Sequence, residues 1–235
     1  LTTKLKDDKK IEAIAVLKEM VVKDPKSSVR GAALAKLGKL MEPNEVEPLY
    51  IAAIASDSSY SVISSALSSL GKDNPEKALA LAAPLENEKS SKMLSGIAQL
   101  YAGHAGPEKY NFFENIINGN VLQGYDKLGV IGAYTGFVTR QDYDIYEKSY
   151  DLYKGLEGKG GLYTQMFLPQ FVGYVAKSID TKISELKTEL AAYEESKDVA
   201  YASQTRTKIT KFEALKLKYD AFEAELLEKK SASEH

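Results

Sequence analysis

The sequence contains no cysteine and no tryptophan, and it has only two histidines in 235 residues. Without cysteine the chain cannot form disulfides, thiolate metal sites or a cysteine nucleophile. The histidines, His104 and His235, are far apart, and the second is the last residue. They cannot supply the paired-histidine motif H-E-x-x-H of zinc hydrolases. These absences argue against a zinc or cysteine hydrolase within this chain.

The sequence also has no large excess of one charge and no long apolar run. Its 31 Lys and Arg residues nearly balance 33 Asp and Glu residues, for a net charge of -2. Proteins that bind nucleic acid usually carry a basic excess, and a membrane helix needs roughly 20 apolar residues. The first ten residues, LTTKLKDDKK, are unlike a secretory signal. We therefore expect no nucleic-acid partner and no membrane span, and the compartment is left open.

Catalytic motifs with a clear mechanism are missing as well. The sequence has no G-x-S-x-G elbow and no phosphate-binding P-loop. Carboxylate pairs such as Asp7-Asp8 and Glu194-Glu195 lie on polar stretches, where solvated charge is the ordinary state. His104 lies in Ala-Gly-His-Ala-Gly, which we interpret as a loop between helices. We predict that this chain alone is not an enzyme and holds no catalytic residue, metal or cofactor.

An internal repeat is the clearest positive signal. The segment DPKSSVRGAALAKLG at 24–38 matches DSSYSVISSALSSLG at 57–71 with a constant offset of 33. Leu37 thus maps to Leu70. A second series consists of prolines at a constant interval of 32, namely Pro43, Pro75 and Pro107. Fixed periods of this length are typical of helical-repeat proteins.

Each repeat reads as two helices. Apolar residues at helical spacing form one stripe before Pro25 and another after it: first Ile11, Ile14, Leu17 and Val21, then Val29, Ala33, Leu37 and Leu40. No segment alternates apolar and polar residues with period two. We predict an all-α fold, and because one helix pair cannot bury its apolar face alone, an α-solenoid of antiparallel pairs.

The C-terminal part has a different pattern. Apolar residues there step by three and four in two segments, which predicts a long antiparallel helical hairpin. We assign 1–178 to the helical repeats, 179–230 to the hairpin as a cap on the last repeat, and 231–235 to a disordered tail.

The middle of the chain departs from efficient Ala/Leu packing. Thirteen of the 16 glycines lie at 96–173, and ten of the 15 tyrosines at 101–174. We interpret the glycines at 124–136 as sites where another backbone comes close. The stripe at 143–153, with tyrosines 143, 146, 150 and 153, favours core packing, and a partner-facing surface is the alternative. The candidates for a substrate or partner surface are Tyr125, Tyr134, Arg140 and Tyr163.

The motif Asp24-Pro25-x-x-x-Val29-Arg30-x-x-Ala33-Leu34-x-x-Leu37-Gly38 resembles a HEAT repeat. Members of that family often carry an Asp in the turn and Val-Arg at the start of the second helix. The second copy keeps Asp57 and Val62 but has Ile63 in place of the arginine. The repeat region is therefore expected to be a HEAT-like helical repeat with a short unit.

HEAT-like pairs followed by a Gly/Tyr-rich stretch and a terminal helical hairpin resemble the C-terminal helical domain of aminopeptidase N-like zinc metallopeptidases. The resemblance implies a non-catalytic domain that shapes and covers the peptide substrate channel. The zinc would then lie in a preceding catalytic domain of the same parent chain, which would be the partner. The alternative is a HEAT-repeat scaffold module that binds a protein or peptide.

Overall fold

The computed structural model describes residues 7–159 and 161–233, and these contain eleven α-helices and no strand. The predicted all-α fold is confirmed. Residues 234 and 235 of the predicted tail, including His235, lie outside the described residues. The helices are α1 (Asp7–Lys23), α2 (Ser27–Leu40), α3 (Pro43–Ser56), α4 (Tyr60–Asp73), α5 (Pro75–Ala82), α6 (Ser91–His104), α7 (Tyr110–Asn118), α8 (Gly124–Val138), α9 (Tyr143–Leu156), α10 (Gly161–Glu195) and α11 (Val199–Ser233).

The chain divides into two compact units between Ala105 and Gly106. Unit 1 contains α1–α6, and unit 2 contains α7–α11. The sequence-based boundary between residues 178 and 179 falls inside α10, which is continuous for 35 residues. Helix α11 also has 35 residues and continues through positions 231–233, so this part of the predicted tail is helical.

Unit 1 is organised around three helices of equal length, because α2, α4 and α6 each have 14 residues. Helices α2 and α4 begin at Ser27 and Tyr60, which are equivalent positions of the predicted repeat. Leu37, Leu70 and Tyr101 occupy the same position of the three helices and are fully buried. Helix α4 packs against both α2 and α6, and this order of contacts is compatible with the predicted solenoid.

The regularly spaced prolines mark helix starts. Pro43 and Pro75 are the first residues of α3 and α5, and Pro107 begins a short 3₁₀ turn before α7. A proline is well tolerated there because the first helical N–H has no intrahelical partner. The Asn74 side chain caps α5 by accepting a hydrogen bond from the Lys77 N–H at 3.2 Å. Helix α2, in contrast, has no side-chain cap.

An ion pair links the two copies of the repeat motif. The Arg30 guanidinium donates to both Asp57 carboxylate oxygens, from Nε at 2.7 Å and from Nη2 at 2.8 Å. Arg30 Nη1 also donates to the Asp24 carbonyl at 3.0 Å. The side chains of Arg30 and Asp57 are mostly buried. Ile63 stands at the next repeat position and is buried instead, so the pairing does not recur there.

This ion pair predicts a pH-dependent contribution to stability. The hydrogen bond from Arg30 lowers the pKa of Asp57 below its ordinary value. A carboxyl group whose pKa is lower in the folded than in the unfolded chain stabilises the fold at pH values above its unfolded pKa of about 3.9. That stabilisation is lost as the pH falls through the lower pKa of the folded state. We therefore expect Asp57→Asn to lower the melting temperature at pH 7, and the difference from the original chain to shrink below about pH 4. Thermal melts from acid to neutral pH measure this, with the exposed Asp126→Asn as control. A difference that stays constant with pH would contradict the prediction.

Unit 2 is built on the long α10–α11 hairpin. Ion pairs Lys187–Glu213 and Arg206–Glu194 connect the two helices in antiparallel register. Helices α8 and α9 pack against α10, and α9 also packs against α11. The start of α9 lies beside residues 178 and 212, through contacts of Tyr146 with Ser178 and Phe212.

Candidate interaction surface

The tyrosine stripe of α9 packs in the core of unit 2. Tyr146 and Tyr153 are fully buried. The rings of Tyr143 and Phe212 pack edge-to-face at 5.3 Å between centroids, and those of Tyr150 and Tyr219 do so at 5.4 Å. The geometry therefore agrees with the core-packing interpretation of this stripe.

The core of unit 2 holds several tyrosine hydroxyl groups that are hydrogen-bonded. Tyr153 Oη lies 2.7 Å from Thr135 Oγ1, and Tyr219 Oη donates to the Tyr146 carbonyl at 2.9 Å. Burial raises the pKa of the Tyr153 and Tyr219 phenols. A buried hydroxyl costs free energy unless it is paired, so these bonds fix how α9 packs against α8 and α11.

Tyr134, one of the four candidates, belongs to this core and does not lie on a surface. It is fully buried, and its hydroxyl donates to Ser149 Oγ at 2.6 Å. Its ring packs against Phe113 at 5.4 Å between centroids. Burial raises the pKa of the phenol. The residue lies on the inward face of α8 with Ile131 and Val138, so only α8 side chains on other faces can meet a partner.

Tyr125 and Tyr163 lie on the surface and contact each other. Tyr125, at the start of α8, is 69% exposed, and Tyr163, at the start of α10, is 38% exposed. Their ring centroids are 4.6 Å apart. A hydrogen bond with Tyr163 raises the pKa of the Tyr125 phenol. Two candidates that are distant in sequence thus form one aromatic surface.

Leu162 and Met166 extend this surface along α10. Leu162 is 80% exposed, and Met166 lies one helical turn further on and is also exposed. Both line a cavity of about 450 Å³ together with Leu226 of α11. We call Tyr125, Leu162, Tyr163 and Met166 the α8–α10 patch. It combines exposed apolar side chains with a concave neighbour, which is typical of sites that bind other molecules.

Gln165 lines this cavity and hydrogen-bonds the backbone at the end of α9. Gln165 Oε1 accepts from the Gly158 N–H at 3.0 Å, and Gln165 Nε2 donates to the Leu156 carbonyl at 2.8 Å. Gly158 has φ of +74°, a conformation that favours glycine. The end of α9 and Gly158 are therefore fixed against the first turns of α10, beside the patch.

A network of alternating charges lies beside the cavity, and two of its members, Glu157 and Lys229, line it. Lys229 bonds Glu157 and lies 2.6 Å from Glu225, and Lys154 lies 2.7 Å from Glu225. Bonds from Lys154 and Lys229 lower the pKa of Glu225 to about 2. The Lys154 ammonium also lies 4.1 Å from the Phe222 ring centroid. These pairs tie α9, its following loop and α11 together around an apolar floor.

The remaining candidates lie elsewhere. Arg140 follows the end of α8, whereas Tyr125 is at its start, so about 20 Å of helix separates them. His104 is the last residue of α6, where a loop was expected. The glycines of α8 do not receive another backbone: added Cβ atoms at Gly129 and Gly136 would meet no atom within 4 Å, and one at Gly132 would meet the Phe171 ring at 3.6 Å.

Within residues 7–159 and 161–233, no group of three or more His, Asp or Glu side chains is placed to hold a metal ion. The described helices include none that is long and apolar enough to cross a membrane. Comparison with protein-family models, with curated proteins and with solved structures gives no match for this chain.

Sequence reasoning missed Leu162, Met166 and Gln165. Leu162 and Met166 lie one turn apart on one helical face, but an apolar pair with this spacing is equally typical of a buried stripe. Gln165 carried no signal, because its role depends on the loop that folds back onto it.

Proposed function

We propose that this chain is a non-catalytic helical module that acts by binding, with the α8–α10 patch as its contact surface for a protein or peptide. The observation that carries this proposal is the patch itself. It places four large, exposed apolar side chains beside a cavity at the start of two helices. Tyrosine and methionine are enriched in contact surfaces because they offer apolar area with adaptable geometry.

The resemblance to the helical domain of zinc aminopeptidases gives this proposal its most specific form. In that form the partner is a catalytic domain of the same parent chain, which would hold the zinc, and this chain would cover the peptide channel. The order of elements, with short helix pairs first and a long hairpin last, supports it. An H-E-x-x-H motif followed by a further Glu, encoded upstream of Leu1 in the parent gene, is the decisive observation.

A scaffold module is the second candidate, and the regularity of unit 1 favours it. Helices α2, α4 and α6 have equal length and share three buried positions, which include those of Leu37, Leu70 and Tyr101. Rows of helices of this kind create extended surfaces for protein partners. A parent gene with no peptidase motif, together with a partner that contacts unit 1, would decide for this candidate.

The binding proposal is tested by truncating the patch in the parent protein. We expect Tyr125→Ala, Leu162→Ala and Tyr163→Ala to weaken partner or domain docking, by about tenfold for at least one of them, as truncation of a well-packed contact does. In the aminopeptidase form, the readout is kcat/KM on peptide substrates. The matched control is Leu217→Ala, because Leu217 is 72% exposed on α11 and is not part of the patch. Unchanged docking and kinetics in all three variants, with melting temperatures preserved, would refute the proposal.

A further inference from the structure

Helix α1 exposes apolar side chains on the flank that faces away from α3. Val16 is 51% exposed and Met20 is 38% exposed, and they lie one turn apart on the same face. Val22 lies on the opposite flank of α1, where it lines the groove toward Leu49 and Ala53 of α3. The Val16 and Met20 side of α1 is therefore the outer side of the row of helices in unit 1.

The repeat indicates which kind of contact the outer side of α1 is suited to make. The constant offset relates Val16 to Leu49 and Met20 to Ala53. In α3 these two positions line the groove toward the preceding helices, and Ala53 is buried. Val16 and Met20 thus occupy positions that pack against a neighbouring helix pair inside the stack.

Helix α2 presents an equivalent face. Val62 of α4 lies next to α2, because a Cβ added at Gly31 would be 3.8 Å from the Val62 side chain. The repeat relates Val62 to Val29. Val29 is half-buried, and Ala32, one turn further along the same face, is exposed. The α1–α2 hairpin therefore turns the large side chains of α1 and a small side chain of α2 toward the same outer side.

Opposite charges flank these two apolar faces. Glu12 is exposed one turn before Val16 on α1, and Lys36 is exposed one turn after Ala32 on α2. Both charges lie in the half of the hairpin that is far from Pro25, since α1 and α2 run in opposite directions from the turn. A surface that carries an acidic group on one helix and a basic group at a similar height on the other is complementary to itself.

We propose that a second copy of this chain covers α1, in a two-fold dimer in which α1 of each copy packs on α2 of the other. A two-fold axis parallel to the helices buries both faces at once, because the α1 face of each hairpin then packs on the α2 face of the other. Val16 and Met20 then lie over Ala32 of the second copy, and Glu12 faces its Lys36. The product is a four-helix arrangement of two hairpins, a packing that helical hairpins commonly adopt.

Sedimentation velocity of the chain at about 1 to 200 µM tests this proposal. We expect a monomer–dimer equilibrium for the original chain. The double variant Val16→Glu/Met20→Glu should raise the dimer dissociation constant at least about 100-fold, since it puts charges into the contact. Ala32→Glu should weaken the dimer from the other side of the contact. Circular dichroism of each variant verifies that the helices are intact.

A charge exchange tests the pairing itself. Glu12→Lys and Lys36→Glu should each weaken the dimer by about tenfold, because each places like charges opposite one another. The double variant with both changes should regain most of the lost affinity. Restoration of this kind requires that the two side chains face each other across the contact.

Two controls locate the contact. Leu217→Glu on α11 should leave the dimer unchanged, and so should Leu162→Glu in the α8–α10 patch. A chain that stays monomeric throughout the concentration range would overturn the proposal. So would a dimer that survives both the α1 and the α2 variants, or one that only Leu162→Glu disrupts, because the second copy would then bind elsewhere.

Discussion

The substitutions Leu37→Ala and Leu70→Ala should each lower the free energy of unfolding by about 2–5 kcal/mol. Both side chains are completely inaccessible to solvent. Truncation removes apolar contacts and leaves a cavity that the surrounding helices fill only partly. The two residues occupy equivalent positions of α2 and α4, so their effects should be similar in size. A large difference would mean that one helix can collapse onto the cavity and the other cannot.

Chemical denaturation followed by circular dichroism measures these effects, provided that the unfolding of unit 1 is resolved from the unfolding of unit 2. Hydrogen exchange of the α2 and α4 amides supplies this resolution. The matched control is Lys39→Ala, because Lys39 lies close to Leu37 on the exposed side of the same helix. If either leucine variant melts like the original chain, the repeat register derived from the constant offset is wrong.

Phe212→Ala should destabilise unit 2 by about 3–5 kcal/mol, the cost of truncating a buried aromatic ring. Phe212 is 1% exposed. Its ring packs edge-to-face with those of Tyr143 and Tyr146, at 5.3 and 5.5 Å between centroids. Its loss therefore removes the anchor between the first turns of α9 and the middle of α11.

Leu217→Ala is the control for Phe212→Ala, since Leu217 lies on the same helix and points to solvent. We expect it to change the stability by less than about 0.5 kcal/mol. Hydrogen exchange should show faster opening of α9 in the Phe212 variant. Equal effects of the two substitutions would contradict the packing of α9 on α11 described above.

The constant offset in the sequence predicted equivalent buried positions in α2 and α4, because identical residues recur there. Leu37 and Leu70 are an example, and their helices begin at equivalent positions of the repeat. The offset of 33 does not extend to α6, because Tyr101 stands in place of leucine and α6 follows α4 at a shorter interval than α4 follows α2. Buried equivalence, which defines the repeat physically, does not require chemical identity.

The candidate surface was predicted only in part. Tyr125 and Tyr163 were named from composition alone, and the structure brings them together. Tyr134 was named on the same grounds, and Arg140 for its place next to this region, but Tyr134 is buried and Arg140 follows the far end of α8. Residue type cannot separate these cases. Helical phase could have placed Tyr134 inside, because it shares a face with Ile131 and Val138.

The open glycine positions of α8 have a practical meaning for protein engineering. Gly129 and Gly136 lie inside the helix, and a Cβ at either would meet no atom within 4 Å. Glycine inside a helix costs roughly 0.5–1 kcal/mol relative to alanine. Replacing these glycines with alanine should therefore stabilise α8, the helix that carries Tyr125 of the α8–α10 patch. Alanines there would give a more heat-resistant variant whose contact residues are unaltered, suited to crystallisation and to partner screening at raised temperature.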